Sequence, residues 1–567
     1  MHGVRGTLVV ALACALMLAG CTGDGSKVEE PSSLPTVSTP GPVKHPEAGH
    51  AEGKRPNIVL VLMDDFSMDL LPTMRSAAAM RRDGASYPHS FVADSLCCVS
   101  RTTIFTGQYP HQTGVRINSP SSLDPAHPLG GYEAFETYGN GERTFAVNLQ
   151  RAGYTTGFVG KFLNRYEYVP GGEVPDPPPG WSDFNVLFGS AYDGWGFSRT
   201  YVEDGVVNVS EVPVPSTDST PAQKDELYAG TVTQQVALDF IDDHRDDRRP
   251  WFLEVAPYAP HSRVLPEGAF PGEPHFPPAF RDRPSRRHPG GNCGLLDCHD
   301  LGVEDLPGFG DDLADNAPAY ADGSPAPAAW EPLETSPERA ERILRDRARM
   351  VQSIDRMVQR ILRRVPPNTY VVLTSDNGFH HGQFGLGMGK GAAYESDIRV
   401  PLLVVGPGVR PGERSEVVSN IDLAPTFEDL AGIRSPRYRS GLSLVPTLDD
   451  PTLERQHYAF VEHTWSGAGD DPDIGDGTLA LVPSYVAVRS RDALLIRTDL
   501  DPSPDVTEHV WEFYEYGAAD FERTNTYADP DDPGELRTLR RKLKQFDRCS
   551  AAVQDAAVPR ECRDLTQ

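Results

Sequence analysis

Asn57-Ile58-Val59-Leu60-Val61-Leu62-Met63-Asp64-Asp65 is the stretch from which the fold can be read. An unbroken apolar run of this kind is typical of a strand buried on both faces, whereas a half-exposed strand alternates apolar and polar residues. Trp251-Phe252-Leu253-Glu254-Val255-Ala256 reads as a second such strand. Tyr370-Val371-Val372-Leu373-Thr374 and Leu402-Leu403-Val404-Val405 are two more. Between them lies a helix. Ser336 is a good N-cap and Pro337 suits the first helical position. Ile343, Leu344, Met350, Val351, Ile354, Met357, Val358, Ile361 and Leu362 then recur at three- and four-residue steps. This alternation predicts an α/β sandwich with a large, mostly parallel central sheet flanked by helices.

Outward from this core, the two ends of the chain differ in texture. Arg5 supplies a short positive region, and Thr7 to Gly20 is uncharged and mostly apolar. That run is shorter than the about 20 apolar residues a spanning helix needs. It ends Leu18-Ala19-Gly20-Cys21, which resembles a bacterial lipobox. Residues 1–20 are therefore expected to be a lipoprotein signal peptide, with Cys21 the site of lipid attachment. Residues 21–54 are rich in Pro, Ser, Thr, Gly and charge, and read as a flexible tether. The expected location is the outer face of the cytoplasmic membrane, anchored by lipid, or the medium if the protein is secreted. Residues 265–335 are Pro/Gly-rich and read as an irregular insertion. Beyond about residue 450 the apolar runs shorten, and Leu536, Leu539, Leu543 and Phe546 mark a last helix. Residues 451–567 are read as a small α+β subdomain.

The 567 residues carry 53 Lys+Arg against 81 Asp+Glu, a formal charge of −28. A field of that sign argues against a partner such as nucleic acid. It also disfavours a long polyanion, so an anionic substrate needs a local basic pocket. Eight cysteines are present. Cys14 leaves with the signal. In an oxidising compartment Cys293 with Cys298, and Cys549 with Cys562, are close enough in sequence to form local disulfides.

Chemistry gathers just past the strand ends, where open α/β sheets place their sites. Asp64-Asp65 follows the first strand, and Asp376-Asn377 follows the Tyr370–Thr374 strand. Three carboxylates and one amide oxygen are an all-oxygen set that suits Ca²⁺ or Mg²⁺, where Zn²⁺ prefers His or Cys. A third segment is Cys97-Cys98-Val99-Ser100-Arg101-Thr102-Thr103-Ile104-Phe105-Thr106-Gly107-Gln108-Tyr109-Pro110-His111. A helix is expected from Ser100, with Cys97 at its N-terminus, where backbone N–H groups favour anions.

That segment resembles the sulfatase signature, Cys-x-Pro-Ser-Arg followed by Thr-Gly. Further matches come in order: Asp64-Asp65, Gly160-Lys161-Phe162-Leu163-Asn164, Pro260-His261-Ser262, Asp376-Asn377-Gly378-Phe379-His380, Gly389-Lys390 with Tyr394-Glu395, and Val400-Pro401-Leu402. The Cys-Cys version followed by Gly-x-Tyr-x-His looks most like N-acetylglucosamine-6-sulfatases and related glycosaminoglycan sulfatases. The resemblance implies an alkaline-phosphatase-like fold, with residues 55–450 as the catalytic domain. It implies hydrolysis of a sulfate monoester on a sulfated glycan or small molecule. Cys97 would be converted to formylglycine by a formylglycine-generating enzyme. A single divalent cation would be held by Asp64, Asp65, Asp376, Asn377 and the modified Cys97. Arg101 would bond the formylglycine hydroxyl, Lys161 and Lys390 would contact sulfate, and His261 would donate a proton or bind sulfate. His111 matches a family position near the nucleophile, and His381 is expected to be exposed. Two departures are visible: Val99 stands at the family's Pro, and Leu163 where many members have His. The alternatives are a phosphoester or phosphonate hydrolase of the same superfamily, and a non-catalytic surface glycan-binding protein with unmodified Cys97. The Arg281–His288 run is the one obvious basic patch, which could guide an anionic sugar if the insertion folds over the site.

Overall fold

Ile58 to Met63 are all fully buried, as an apolar strand covered on both faces must be. In the computed structural model this strand, β1 (Asn57–Met63), lies inside an eight-stranded sheet. Its companions are β2 (Ala85–Ser86), β3 (Thr155–Gly160), β4 (Asp183–Val186), β5 (Trp251–Ala256), β6 (Thr369–Ser375), β7 (Leu402–Val405) and β8 (Gly412–Glu413). The order is β8-β2-β7-β6-β1-β5-β3-β4. The block β6-β1-β5-β3-β4 is parallel throughout, and β7 runs antiparallel to β6 and β2. The structure describes residues 55–120, 124, 126–203, 205–465, 481–500, 508–517, 521–550 and 556–567. The expected signal peptide, the tether and Cys21 lie outside the described residues.

Alternation along β1 sends Val59, Val61 and Met63 to one face and Ile58, Leu60 and Leu62 to the other. The first face is covered by α2 (Ala229–His244) and α3 (Pro337–Arg364). As its sequence suggests, α3 starts at Ser336, whose Oγ accepts from the Arg339 N–H at 3.3 Å. It buries Ile343, Leu344, Val351, Ile354, Val358 and Ile361. The second face is covered by α1 (Cys97–Thr106) through Cys98, Val99, Ile104 and Phe105. This helix begins at Cys97, three residues earlier than its sequence suggests. A left-handed Gly107 ends it, with φ of 59°.

A separate antiparallel sheet follows, of β9 (Ala459–His463), β10 (Tyr485–Arg489), β11 (Ala493–Asp499) and β12 (His509–Glu515), in that order. Helix α4 (Pro533–Cys549) lays Leu536, Leu539, Leu543 and Phe546 into the same apolar cluster as Phe460, Val488, Leu495 and Phe513. Disulfides join Cys549 to Cys562 and Cys293 to Cys298. The basic run is partly neutralised: Arg281 pairs with Asp225 at 2.8 Å and Arg283 with Glu273, while Arg286 and Arg287 stay exposed.

Strand register decides where the chemistry falls. Met63 pairs with Ser375, so Asp64 and Asp376 leave neighbouring strands at the same level. Gly160 pairs with Ala256, which brings Lys161 to that same edge of the sheet.

One side chain in the sheet carries a charge problem of its own. Glu254 lies opposite Leu60 and Phe158 with both carboxylate oxygens buried and no hydrogen-bond partner. Burial pushes its pKa up to about 8, against a smaller pull from Arg101. The unfolded chain releases this proton near the ordinary value of 4.5. Stability is therefore fullest below that value and falls as pH rises towards about 8. Glu254→Gln removes this titration. Its unfolding free energy relative to wild type is expected to climb with pH, by on the order of 5 kcal/mol across the window. Denaturant unfolding at several pH values checks this, and a difference independent of pH would show that the carboxyl does not titrate there.

Candidate active site

The site is built by the shared ending of β1 and β6. Ser375 ties the two ends together. Its Oγ accepts from the Phe66 N–H at 3.0 Å and lies 3.1 Å from the Met63 carbonyl and 2.9 Å from that of Asn377. Asp65 adopts a left-handed backbone, φ of 57°. Its N–H donates to Asp376 Oδ1 at 3.1 Å, and Asn377 Nδ2 donates to Asp65 Oδ1 at 2.7 Å. Asp64, Asp65, Asp376 and Asn377 are thereby gathered and buried.

Helix α1 enters from the other side of the sheet edge. Cys97 is its first residue, with Sγ 3.4 Å from Asp64 Oδ1 and 3.6 Å from Asp65 Oδ1. Arg101, one turn on, donates from Nε to Asp376 Oδ2 at 2.8 Å and from Nη1 to the Lys161 carbonyl at 2.7 Å. Ser100 Oγ donates to the Asp376 carbonyl. Asn420 fixes the helix in turn, donating to Ser100 Oγ at 2.9 Å and Thr103 Oγ1 at 3.0 Å. Cys97 and Cys98 are both unbridged thiols.

Two buried ammonium groups complete the cluster. Lys161 Nζ lies 2.8 Å from each oxygen of Asp64. Lys390 Nζ lies 2.6 Å from Asp65 Oδ1 and 2.8 Å from Cys97 Sγ. His261 turns Nε2 to within 3.5 Å of Asp65 Oδ2, while Nδ1 meets the Ser262 carbonyl at 2.8 Å. A carbonyl only accepts, so Nδ1 keeps its proton and Nε2 is the nitrogen that exchanges one with the site. Tyr192 supports both groups, its ring 5.0 Å from Lys161 Nζ and 4.5 Å from the His261 ring. Burial works to raise the Asp64 pKa, but Lys161, His261, Arg101 and Lys390 outweigh it and hold the carboxyl well below the usual range. For Cys97 burial wins over both lysines, and the thiol is pushed well above its ordinary value. An unmodified Cys97 is thus a poor nucleophile near neutral pH.

Nine of the residues singled out in the sequence are thus brought together: Asp64, Asp65, Cys97, Arg101, Lys161, His261, Asp376, Asn377 and Lys390. His111 is not among them. Its Nδ1 meets Glu462 Oε1 at 2.8 Å, and its ring lies against Tyr109 and Phe546 beside the second sheet. His381 corrects an expectation: it is fully buried, with Nε2 2.7 Å from Arg347 Nη1. Composition of the basic side gave no hint of Tyr192, Asn420 or Ser375, which carry no motif and act only through packing.

The cluster suits a hard divalent cation. Asn377 Oδ1 is buried with no hydrogen-bond partner, at the place where an amide oxygen would serve as a ligand. Asp64, Asp65, Cys97 and His261 offer donor atoms that all lie within 4.8 Å of one another. The carboxylate-rich set matches oxygen-seeking cations.

Comparison with known proteins agrees with this geometry. An N-acetylglucosamine-6-sulfatase from Capra hircus is 30% identical over 416 residues, covering 71% of this chain and 65% of that protein. An extracellular sulfatase SULF-1 homolog from Drosophila melanogaster is 28% identical, covering 71% of this chain and 32% of that one. The chain thus spans about a third to two thirds of the length of these relatives. A solved structure in complex with its substrate D-glucosamine-2-N,6-O-disulfate shares the fold, with a TM-score of 0.58 at 20% identity, covering 87% of this chain and 98% of that one. Among the described residues no helix is long and apolar enough to cross a membrane. Residues 56–433, which hold every member of the buried cluster, match the Sulfatase family model, and the chain belongs to the sulfatase family.

Proposed function

We propose that this protein hydrolyses a sulfate monoester on a sugar of the glucosamine or glycosaminoglycan type. The observation that carries the reading is the charge balance of the buried cluster. Asp64, Asp65 and Asp376 face Arg101, Lys161 and Lys390, three negative charges against three positive. One divalent cation leaves two positive charges in excess. That excess suits an ester bearing one negative charge whose leaving oxygen gains more in the transition state. The sugar class is supported by the N-acetylglucosamine-6-sulfatase relatives.

Asp64, Asp65, Asp376 and Asn377 would hold the cation, which when bound polarises a sulfate oxygen as a Lewis acid. A formylglycine made from Cys97 would replace the thiol with a hydrated aldehyde. Lys390, already 2.8 Å from Sγ, neutralises charge at that position. Lys161 is freed to meet a sulfate oxygen once Asp64 has another partner. Arg101 orients Asp376 and keeps α1 at its place on the sheet edge. His261 delivers a proton from Nε2 to the departing oxygen.

The same reading extends to maturation and location. Residues 1–20 act as the signal peptide, Cys21 carries the lipid, and 21–54 form the tether. Residues 55–450 form the catalytic domain, and 451–567 the small C-terminal subdomain. A formylglycine-generating enzyme is the maturation partner, accepting Val99 in its target segment. Ca²⁺ is the preferred cation, with Mg²⁺ the substitute.

Peptide mass spectrometry across residue 97, on protein from a native-type host, tests the reading directly. Formylglycine at that position, together with one Ca²⁺ or Mg²⁺ per chain, is the expected result. An unmodified thiol, or two zinc ions per chain, would overturn it in favour of a binding protein or a phosphoester hydrolase. His261→Ala should lower kcat by about 10²–10⁴-fold on a sugar sulfate. The loss should be much smaller on 4-nitrophenyl sulfate, whose leaving group needs no proton. Equal losses on both substrates would remove the proton-donor role. Cys97→Ala should abolish turnover of either substrate.

A further inference from the structure

We propose that Arg347, on α3, is a positioning residue for the cation site, holding Asp65 in the left-handed turn that aims its carboxylate into the cluster. The inference rests on the reading of Asp64, Asp65, Asp376 and Asn377 as the groups that hold a cation.

Arg347 is fully buried in the middle of a long helix, where an aliphatic side chain would pack without desolvating a charge. Among the described residues it forms no ion pair. Its guanidinium is spent on the turn after β1 instead. Nη2 donates to the carbonyl of Asp65, and Nη1 lies 3.2 Å from Ser67 Oγ and 2.7 Å from His381 Nε2. One face stacks on Phe379, 4.0 Å from the ring centre. Burial and the neighbouring guanidinium hold the His381 pKa well below its ordinary value, so Nε2 keeps the lone pair that accepts from Arg347.

Asp65 needs such support. A left-handed backbone costs a residue with a Cβ about 1–2 kcal/mol. Two contacts fix it: the N–H is taken by Asp376 and the C=O by Arg347. The first belongs to the donor cluster itself, so it cannot hold that cluster independently. The second comes from outside, across the face of the sheet covered by α3. Without it a buried carbonyl loses its partner, the turn over residues 65–67 relaxes, and the Asp65 carboxylate leaves the position shared with Asn377 and His261. Residues that orient ligands in this way typically contribute about 10–100-fold in metal affinity.

Calorimetric titration of the chelator-treated full chain with CaCl₂, and then with MgCl₂, tests the idea. Arg347→Ala should raise the Ca²⁺ Kd by about tenfold or more. Guanidinium chloride below its denaturing range should restore part of the loss, because it refills the vacated site; a merely structural role would not respond to it. Arg347→Lys keeps the charge but loses the planar fork that serves these acceptors together, and it should weaken binding too. It also serves as the deciding variant if Arg347→Ala does not fold. Wild type that binds with variants whose Kd is unchanged would overturn this inference and leave the cation reading standing. Wild type that binds neither ion would overturn both.

Discussion

Two parallel strands that end at the same level govern this molecule. The pairing of Met63 with Ser375 is one rung in a ladder that begins at Asn57 and Thr369. Shift that register by one residue and every side chain of one strand changes face. Val59, Val61 and Met63 would leave the α3 side, and Asp64 would no longer stand beside Asp376. The apolar match that stabilises the core is thus the same constraint that juxtaposes the carboxylates. Function here is inherited from packing, through a register that hydrophobic burial enforces along seven consecutive pairs.

The strand ends create an electrostatic problem that the rest of the fold solves. Three carboxylates in a water-poor place repel one another and lose their hydration. The answer comes from distant parts of the chain: Arg101 from α1, Lys161 from the end of β3, Lys390 from a loop after β6. Each contacts a carboxylate within 2.8 Å. No element supplies more than one of these cations, so the cluster exists only in the folded chain. Arg347 differs in kind from the other three. Its hydrogen bond goes to a carbonyl rather than a carboxylate, and so it acts chiefly on the geometry of the turn.

Legibility in the sequence followed the physical range of each interaction. The central strands could be read because burial on both faces leaves an unbroken apolar run. Asp64, Asp65, Asp376 and Asn377 could be read because strand ends are punctuated by polar residues. Lys161, His261 and Lys390 were visible only through a family pattern, since a lone Lys or His near a loop carries no local signal. Side chains that act through tertiary contact alone stayed hidden: Tyr192 beneath Lys161, Asn420 behind α1, Arg347 behind Asp65. The misreadings have the same cause. His381 looks like a polar loop residue, yet its environment is set by a helix that starts 44 residues earlier at Pro337. His111 follows the signature closely in sequence, but Pro110 opens a new short helix and Gly114 ends it, and Glu462 of β9 captures the imidazole.

The formal charge of −28 is that of the whole chain, while the three carboxylates and three cations of the buried cluster balance before a divalent ion enters. Surface charge acts over about a Debye length, roughly 8 Å at physiological salt, and is felt most by a partner that presents many charges at once. A fully buried Cys97 is reached only by the group that enters the pocket. Pairings between groups buried there are stronger than at the surface. On the proposed reading, a single sulfate on a terminal sugar would meet the field of the buried cluster more strongly than that of the chain as a whole. On the same reading, a net negative chain with a locally balanced pocket would favour a short or terminally presented ester over an extended polyanion.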